Sequence, residues 1–270
     1  MPDALVAVAH AAPARTLSRW AAGGVGRGAA ALLLALCAGT ASAQDHESEA
    51  RWEKQTLETL FSGEVVRIQQ KSGHRFIALY QAAAKPRGAV IVAHGRGWSP
   101  DYDLYGELRT KIAEAGYSTL SIQMPVLTGN AKVGDYLPTF PDADERLALA
   151  AKWLRDRGER RIAIVSHSLG ATMANHYLIR NPNSDIGAWV FIGIINGLED
   201  MFRIRIPVLD IFGERDWDVT RVGRDERLAQ IRKIEGSEQV IVPGAEHFFE
   251  GKRDELVKAI VGFLDKTLAR

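Results

Sequence analysis

From residue 64 onward the chain switches repeatedly between short β-branched, apolar runs and longer stretches in which apolar residues recur every three to four positions. The short runs predict strands at Glu64–Gln69, Arg75–Gln81, Ala89–Ala93, Ser118–Ile122, Arg161–Ser166, Ala188–Ile192, Val208–Phe212 and Gln239–Val242. The longer stretches predict helices at Leu104–Ala115, Ala143–Arg157, Leu169–Arg180, Val222–Ile234 and Arg253–Leu268, and a charged stretch, Glu47–Leu60, predicts a helical lead. The first two strands read as a hairpin turned at Ser72-Gly73. Strands alternating with helices imply an α/β fold: a mostly parallel, eight-stranded type of sheet with helices on both faces. The connection from Ile192 to Ile206 is too short to hold a large cap domain. In such sheets ligands bind beyond the carboxyl ends of the strands, so chemistry is to be sought just after each run.

The residues before this pattern read differently. Arg15, Arg19 and Arg27 precede an apolar run, Ala29–Ala38, which ends in Thr40-Ala41-Ser42-Ala43, a small-x-small cleavage pattern ahead of Gln44. The run is about half of the roughly 20 residues that a membrane span needs, so a cleaved secretory signal peptide is expected over residues 1–43. Export to the periplasm or medium follows, with no stable membrane span in the mature chain. Cys37 offers a lipid anchor as the alternative, but the bulky Leu36 before it disfavours that processing. The organisation expected is a leader over 1–43, a helical lead over 44–61 and one folded domain over 62–270.

Composition sharpens this only a little. At 46% hydrophobic and 25% charged residues the chain is neither disordered nor fibrous, and 34 basic residues against 33 acidic ones create no field that would recruit nucleic acid. Neither feature sets an oligomeric state. The one cysteine, Cys37, leaves with the leader, which removes disulfides, thiolate metal sites and a cysteine nucleophile from consideration. No P-loop, no G-x-G-x-x-G after a strand and no His-x-x-x-His spacing is present, so neither a nucleotide cofactor nor a metal is expected.

The most informative strand end is Ser166-His167-Ser168-Leu169-Gly170, directly between a predicted strand and a predicted helix. A sharp turn there needs small residues two before and two after its centre; Ser166 and Gly170 meet that need, although Gly is usual at the first position. The turn lifts the Ser168 hydroxyl out of the sheet at the positive end of the next helix, where the Leu169 N–H faces a developing oxyanion. A serine hydroxyl needs a base beside it. Among the histidines, His46, His74 and His176 read as surface or packing residues, and His167 points away from Ser168. His247 follows the last strand, at the correct end of the sheet. An acid must in turn orient that base. Asp216, in Gly213-Glu214-Arg215-Asp216-Trp217-Asp218, is the first choice, with Asp218 the runner-up and Asp210 inside the strand.

These residues, in the order Ser168, Asp216, His247, together with His94-Gly95-Arg96-Gly97 after the strand Ala89–Ala93, resemble the α/β-hydrolase superfamily over about Glu64 to Leu268. The resemblance implies that the Arg96 N–H joins that of Leu169 in an oxyanion hole and that His94 braces the loop. The stretch from His94 to Pro125 also looks like a group of exported bacterial proteins of unknown function. The expected rim of the site is Met124–Pro141, with Tyr136 and Phe140, while Trp98, Tyr102, Trp217, Phe248 and Phe249 stand beside the site positions. Trp98, Tyr136, Trp217 and Phe248 are the substrate-binding candidates. The expectation is an exported serine hydrolase acting on a small-molecule acyl ester, most simply a carboxylesterase with an open site. A non-catalytic periplasmic binding or assembly protein that kept the fold is the other class to be tested.

Overall fold

A single sheet organises the chain, and its central strands are buried from end to end. The structure, a computed structural model, describes residues 44–195 and 197–268. The expected leader, with Ala29–Ala38, Cys37 and the cleavage pattern at Ala43, lies outside the described residues. In chain order the elements are α1 (His46–Thr59), β1 (Glu64–Gln69), β2 (Arg75–Gln81), β3 (Ala89–Ala93), α2 (Leu104–Glu114), β4 (Ser118–Ile122), α3 (Phe140–Asp156), β5 (Ile162–His167), α4 (Leu169–Arg180), β6 (Ile186–Ile192), β7 (Val208–Gly213), α5 (Asp218–Arg221), α6 (Arg224–Ile231), β8 (Glu238–Val242) and α7 (Arg253–Thr267). Short 3₁₀ turns occupy Val133–Thr139 and Met201–Arg203. Among the described residues no helix is long and apolar enough to cross a membrane.

The eight strands are ordered β1-β2-β4-β3-β5-β6-β7-β8. Only β2 opposes its neighbours, pairing antiparallel with β1 and β4; every other pair is parallel. The period-2 geometry of a strand then divides the core. From β3, Ala89, Ile91 and Ala93 face α3 and α4, joining Leu147, Leu154, Met173 and Tyr177. Val90 and Val92 face the opposite layer, with Leu108 and Ile112 of α2 and Ile260 and Phe263 of α7. Each large apolar side chain buried in these layers contributes roughly 1.5–3 kcal/mol relative to exposure.

Two helices differ notably from expectation. Helix α3 begins at Phe140 rather than Ala143, because Pro141 sits in its first turn, where a missing N–H costs nothing. The expected rim segment Met124–Pro141 is correspondingly part helix. The single helix expected at Val222–Ile234 is two, α5 and α6, separated at Val222-Gly223.

The lead helix α1 docks by polar contacts. Asp45 caps it by accepting the Ser48 N–H (2.8 Å), and the Asp45 N–H donates to the Val126 carbonyl (2.8 Å). Only Glu49 and Thr56 of α1 are buried. Glu49 pairs with the fully buried Arg146 of α3 (3.0 Å), whose guanidinium also donates to Gln70 (3.0 Å), the Gln123 carbonyl (2.9 Å) and Gln44 (2.7 Å).

Candidate active site

Four loops meet at the carboxyl end of the sheet. Where β5 gives way to α4, Ser168 holds φ 55° and ψ −124°, a backbone conformation that non-glycine residues avoid. Its N–H donates to the Ile192 carbonyl at the end of β6 (2.8 Å), which ties the turn to the neighbouring strand. Gly170 is required by contact: a Cβ there would stand 2.3 Å from the His94 carbonyl oxygen and 2.8 Å from that of Ala93. The start of α4 therefore presses onto the end of β3, and this brings the His94–Gly97 loop beside Ser168. Ser166, where Gly is usual, is buried; its hydroxyl donates to the Val190 carbonyl (3.2 Å) and accepts the Trp189 indole N–H (2.9 Å). The extra side chain is thus accommodated as a link to β6.

Beyond β7, the Asp216 Oδ1 accepts the His247 Nδ1–H (2.6 Å) and the Trp217 N–H (2.7 Å). Both residues of this pair are almost fully buried. Because Nδ1 carries the proton, His247 Nε2 presents a lone pair, and that atom is buried with no hydrogen-bond partner among the described residues. Asp216 and His247 pack on the end of β6, where a Cβ on Gly193 (φ 53°) would lie 3.0 Å from Asp216 Oδ2 and 3.1 Å from the imidazole. The two other acids considered are engaged elsewhere. Asp218 is exposed and pairs with Arg221, while Asp210 is buried against Arg227 (2.8 Å).

The backbone N–H of Arg96 has no acceptor among the described residues, and Leu169 opens α4, where the first N–H groups have no partner within the helix. His94 braces the Arg96 loop: its Nδ1–H donates to the Gly95 carbonyl (2.7 Å) and its Nε2 accepts the Met124 N–H (2.9 Å). Burial lowers its pKa to about 4, so it stays neutral. His167 is no bystander. The Gly95 N–H donates to the Tyr105 hydroxyl (2.9 Å), which donates to His167 Nδ1 (2.9 Å), and His167 Nε2–H donates to the His247 carbonyl (3.0 Å). Complete burial holds the His167 pKa well below the usual histidine range. This chain of bonds joins three of the four loops, and nothing in the sequence beyond the adjacency of His167 to Ser168 signalled it.

Comparison with known proteins bears on the fold. The model of a family described as "Protein of unknown function (DUF3530)" matches residues 29–142. No curated protein matches the chain. Among solved structures, an esterase of Pyrococcus furiosus superposes with a TM-score of 0.63 at 17% identity, covering 79% of this chain and 96% of that one. A dienelactone hydrolase from Anabaena variabilis gives 0.60 at 20% identity, covering 76% and 98%. A serine hydrolase without lid from Xanthomonas campestris gives 0.59 at 20%, covering 77% and 96%. The chain has the α/β-hydrolase fold.

Within this α/β-hydrolase fold the aromatic residues form an arc around the site. Trp217, half exposed, stacks on His247 (centroids 3.7 Å, 17°), and Phe248 meets the same imidazole edge-on (5.3 Å, 88°). Phe248 in turn meets Trp98 (5.9 Å), which stacks on Tyr102 (4.3 Å), and Tyr102 meets Trp52 of α1 (5.5 Å). Phe140, expected at the rim, and Phe249, expected beside the site positions, are core instead: both are buried, because the earlier start of α3 and the turn after His247 point them inward. Tyr136 is buried too, its hydroxyl accepting the Leu127 N–H (3.1 Å), yet its ring contributes to the floor of a cleft. That cleft, about 540 Å³, starts at Arg96 and Trp98 and runs between residues 126–131 and the α1 side chains Ser48, Arg51 and Trp52. Ser168, Asp216 and His247 do not line it. The lead helix forms one wall of this cleft.

Proposed function

We propose that this chain is an exported serine hydrolase, a carboxylesterase of small to medium acyl esters. The observation that carries the reading is the state of His247: its Nδ1–H is committed to Asp216 and its Nε2 lone pair is unclaimed, at the end of the sheet where the strained Ser168 turn stands. In this reading His247 Nε2 takes the Ser168 hydroxyl proton as Oγ attacks the ester carbonyl, and Asp216 stabilises the imidazolium. The N–H groups of Arg96 and Leu169 receive the oxyanion. Collapse expels the alcohol, protonated by His247, and leaves an acyl-Ser168 ester. Water, deprotonated by the same imidazole, releases the acid and restores the serine. Trp98 offers one apolar surface to the substrate, with the buried Tyr136 behind the cleft, and Trp217 and Phe248 offer another.

A fluorophosphonate probe tests the assembled site without presuming a substrate. Stoichiometric labelling at Ser168 is expected, abolished in Ser168→Ala and His247→Ala. Labelling at Ser166 would overturn the assignment, and a folded protein that takes no label would be the binding or assembly protein. A series of p-nitrophenyl esters of increasing acyl length then defines the substrate class. Export is tested by intact mass: protein recovered from the periplasm should begin at Gln44, and a chain beginning at a lipidated Cys37 would replace secretion with anchoring.

A further inference from the structure

Helix α1 has an unusual need for an anchor. It walls the cleft with Ser48, Arg51 and Trp52, yet it buries only Glu49 and Thr56, so little apolar area holds it to the sheet. At its first turn His46 and Glu49, three residues apart and so on one helical face, meet His74, the residue before β2. His74 Nε2 lies 2.9 Å from Glu49 Oε2 and His46 Nδ1 lies 3.8 Å from the same oxygen. The two imidazoles stack with centroids 3.9 Å apart and 27° between planes. One nitrogen from each ring and the carboxylate oxygen all fall within 4.8 Å of one another.

Hydrogen bonding alone explains His74 but not His46, which makes no hydrogen bond among the described residues and yet is held over the same carboxylate. The surroundings favour a cation. Arg146 is the one guanidinium bonded to Glu49, and it is also attracted by Asp142 and Glu145, so three carboxylates share its charge. Arg146, fully buried, donates to both Glu49 oxygens (3.0 Å to Oε1, 3.2 Å to Oε2) and so fixes the carboxylate, the role that an outer partner plays for a metal-ligating side chain. Two imidazoles and a carboxylate are a donor set suited to zinc and related divalent ions, with ligand bonds of about 2.0–2.2 Å. Closing on such an ion requires the His46 ring to rotate, and His46 is the exposed member of the three.

We propose that His46, Glu49 and His74 bind one divalent transition-metal ion of the zinc class, completed by solvent, which staples α1 to the β1–β2 hairpin and fixes the wall of the cleft. This site is separate from the Ser168 centre and its test needs no hydrolytic activity. Tag-free purified protein, stripped with chelator, is titrated with zinc chloride by calorimetry and with cobalt(II) by visible absorption. One ion per chain is expected, with affinity on the order of tenfold or more weaker in His46→Ala and no stoichiometric binding in His46→Ala/His74→Ala. His176→Ala, which removes an imidazole paired with Asp144, should bind as the unmodified protein does. Zinc should also slow proteolysis within α1 in the unmodified protein and not in the double variant. Because His46 is exposed, His46→Ala retains the fold and keeps the result interpretable. Absence of stoichiometric zinc binding to the folded protein, or equal affinity in the double variant, would overturn the site.

Discussion

Asp216 and Asp218 stand two positions apart on one loop, and their surroundings separate them completely. Asp216 is buried with its Oδ1 shared between the His247 Nδ1–H and the Trp217 N–H; Asp218 is exposed and opens α5. A carboxylate that accepts the Nδ1–H fixes the tautomer leaving Nε2 free, and an amide in its place can offer its NH₂ and reverse that choice. Asp216→Asn is therefore expected to lower kcat on the order of 10⁴-fold with the fold retained, while Asp218→Asn leaves kcat within a few-fold. Steady-state kinetics on the best ester decides it, and equal losses in both variants would mean that the loop, not the acceptor, carries the effect. The same contrast holds at Gly170, where one methyl group would collide with the His94 carbonyl and separate the Leu169 N–H from the Arg96 loop.

Among the helices of eight or more residues, α1 is the one that buries no apolar side chain; its aromatic contact is the partly buried Trp52 against Tyr102. Its buried contact is an ion pair, and a buried charge left without its partner is costly although the intact pair need not be strongly stabilising. Arg146→Met would leave Glu49 buried with only His74 and His46 as polar neighbours and would strip donors from Gln70, Gln44 and the Gln123 carbonyl. A loss of about 3 kcal/mol in urea unfolding is expected. Arg146→Met combined with Glu49→Leu should regain part of that loss, because it removes both charges. If the double variant is less stable than either single one, α1 is held by something other than this pair.

On the scale of the whole molecule, two buried histidines give the fold an acid limit. Burial depresses the pKa of His94 to about 4 and holds that of His167 well below its ordinary value, whereas both titrate near 6.5 in the unfolded chain. Above pH 6.5 neither state binds these protons and stability is unaffected. Below it the unfolded chain takes up protons that the folded chain refuses, so stability falls as pH drops from about 6.5 toward 4. For His94 the difference amounts to about 3 kcal/mol at the acid end of that window. Urea unfolding between pH 7.5 and 4.5 should show this decline, and His94→Gln should flatten it while lowering stability at neutral pH. A constant unfolding free energy across the range would contradict the burial of these rings as neutral groups. The consequence for function is direct, since both brace loops of the candidate site: His94 that of Arg96 and His167 that of His247.

The sequence by itself determined the alternation of strands and helices, because a run of β-branched residues and a 3.6-residue period are local properties. It also determined where to look: Ser168, Asp216 and His247 each follow a strand, and such a position needs no knowledge of distant packing. Ser166 was legible as tolerable from its size, but its bonds to Val190 and Trp189 required the neighbouring strand. Only the tertiary structure put Asp216 rather than Asp218 against His247, turned Phe140 and Phe249 inward, and made His167 a link between loops. It alone placed α1 along the cleft and brought His46 and Glu49 to His74. The reason is separation along the chain: Glu49 reaches Arg146 across 97 residues and His167 reaches the His247 carbonyl across 80, and no periodicity in either segment records what the other presents to it. Local pattern encodes which face of an element is buried; the partner on that face is set by how the sheet orders its strands.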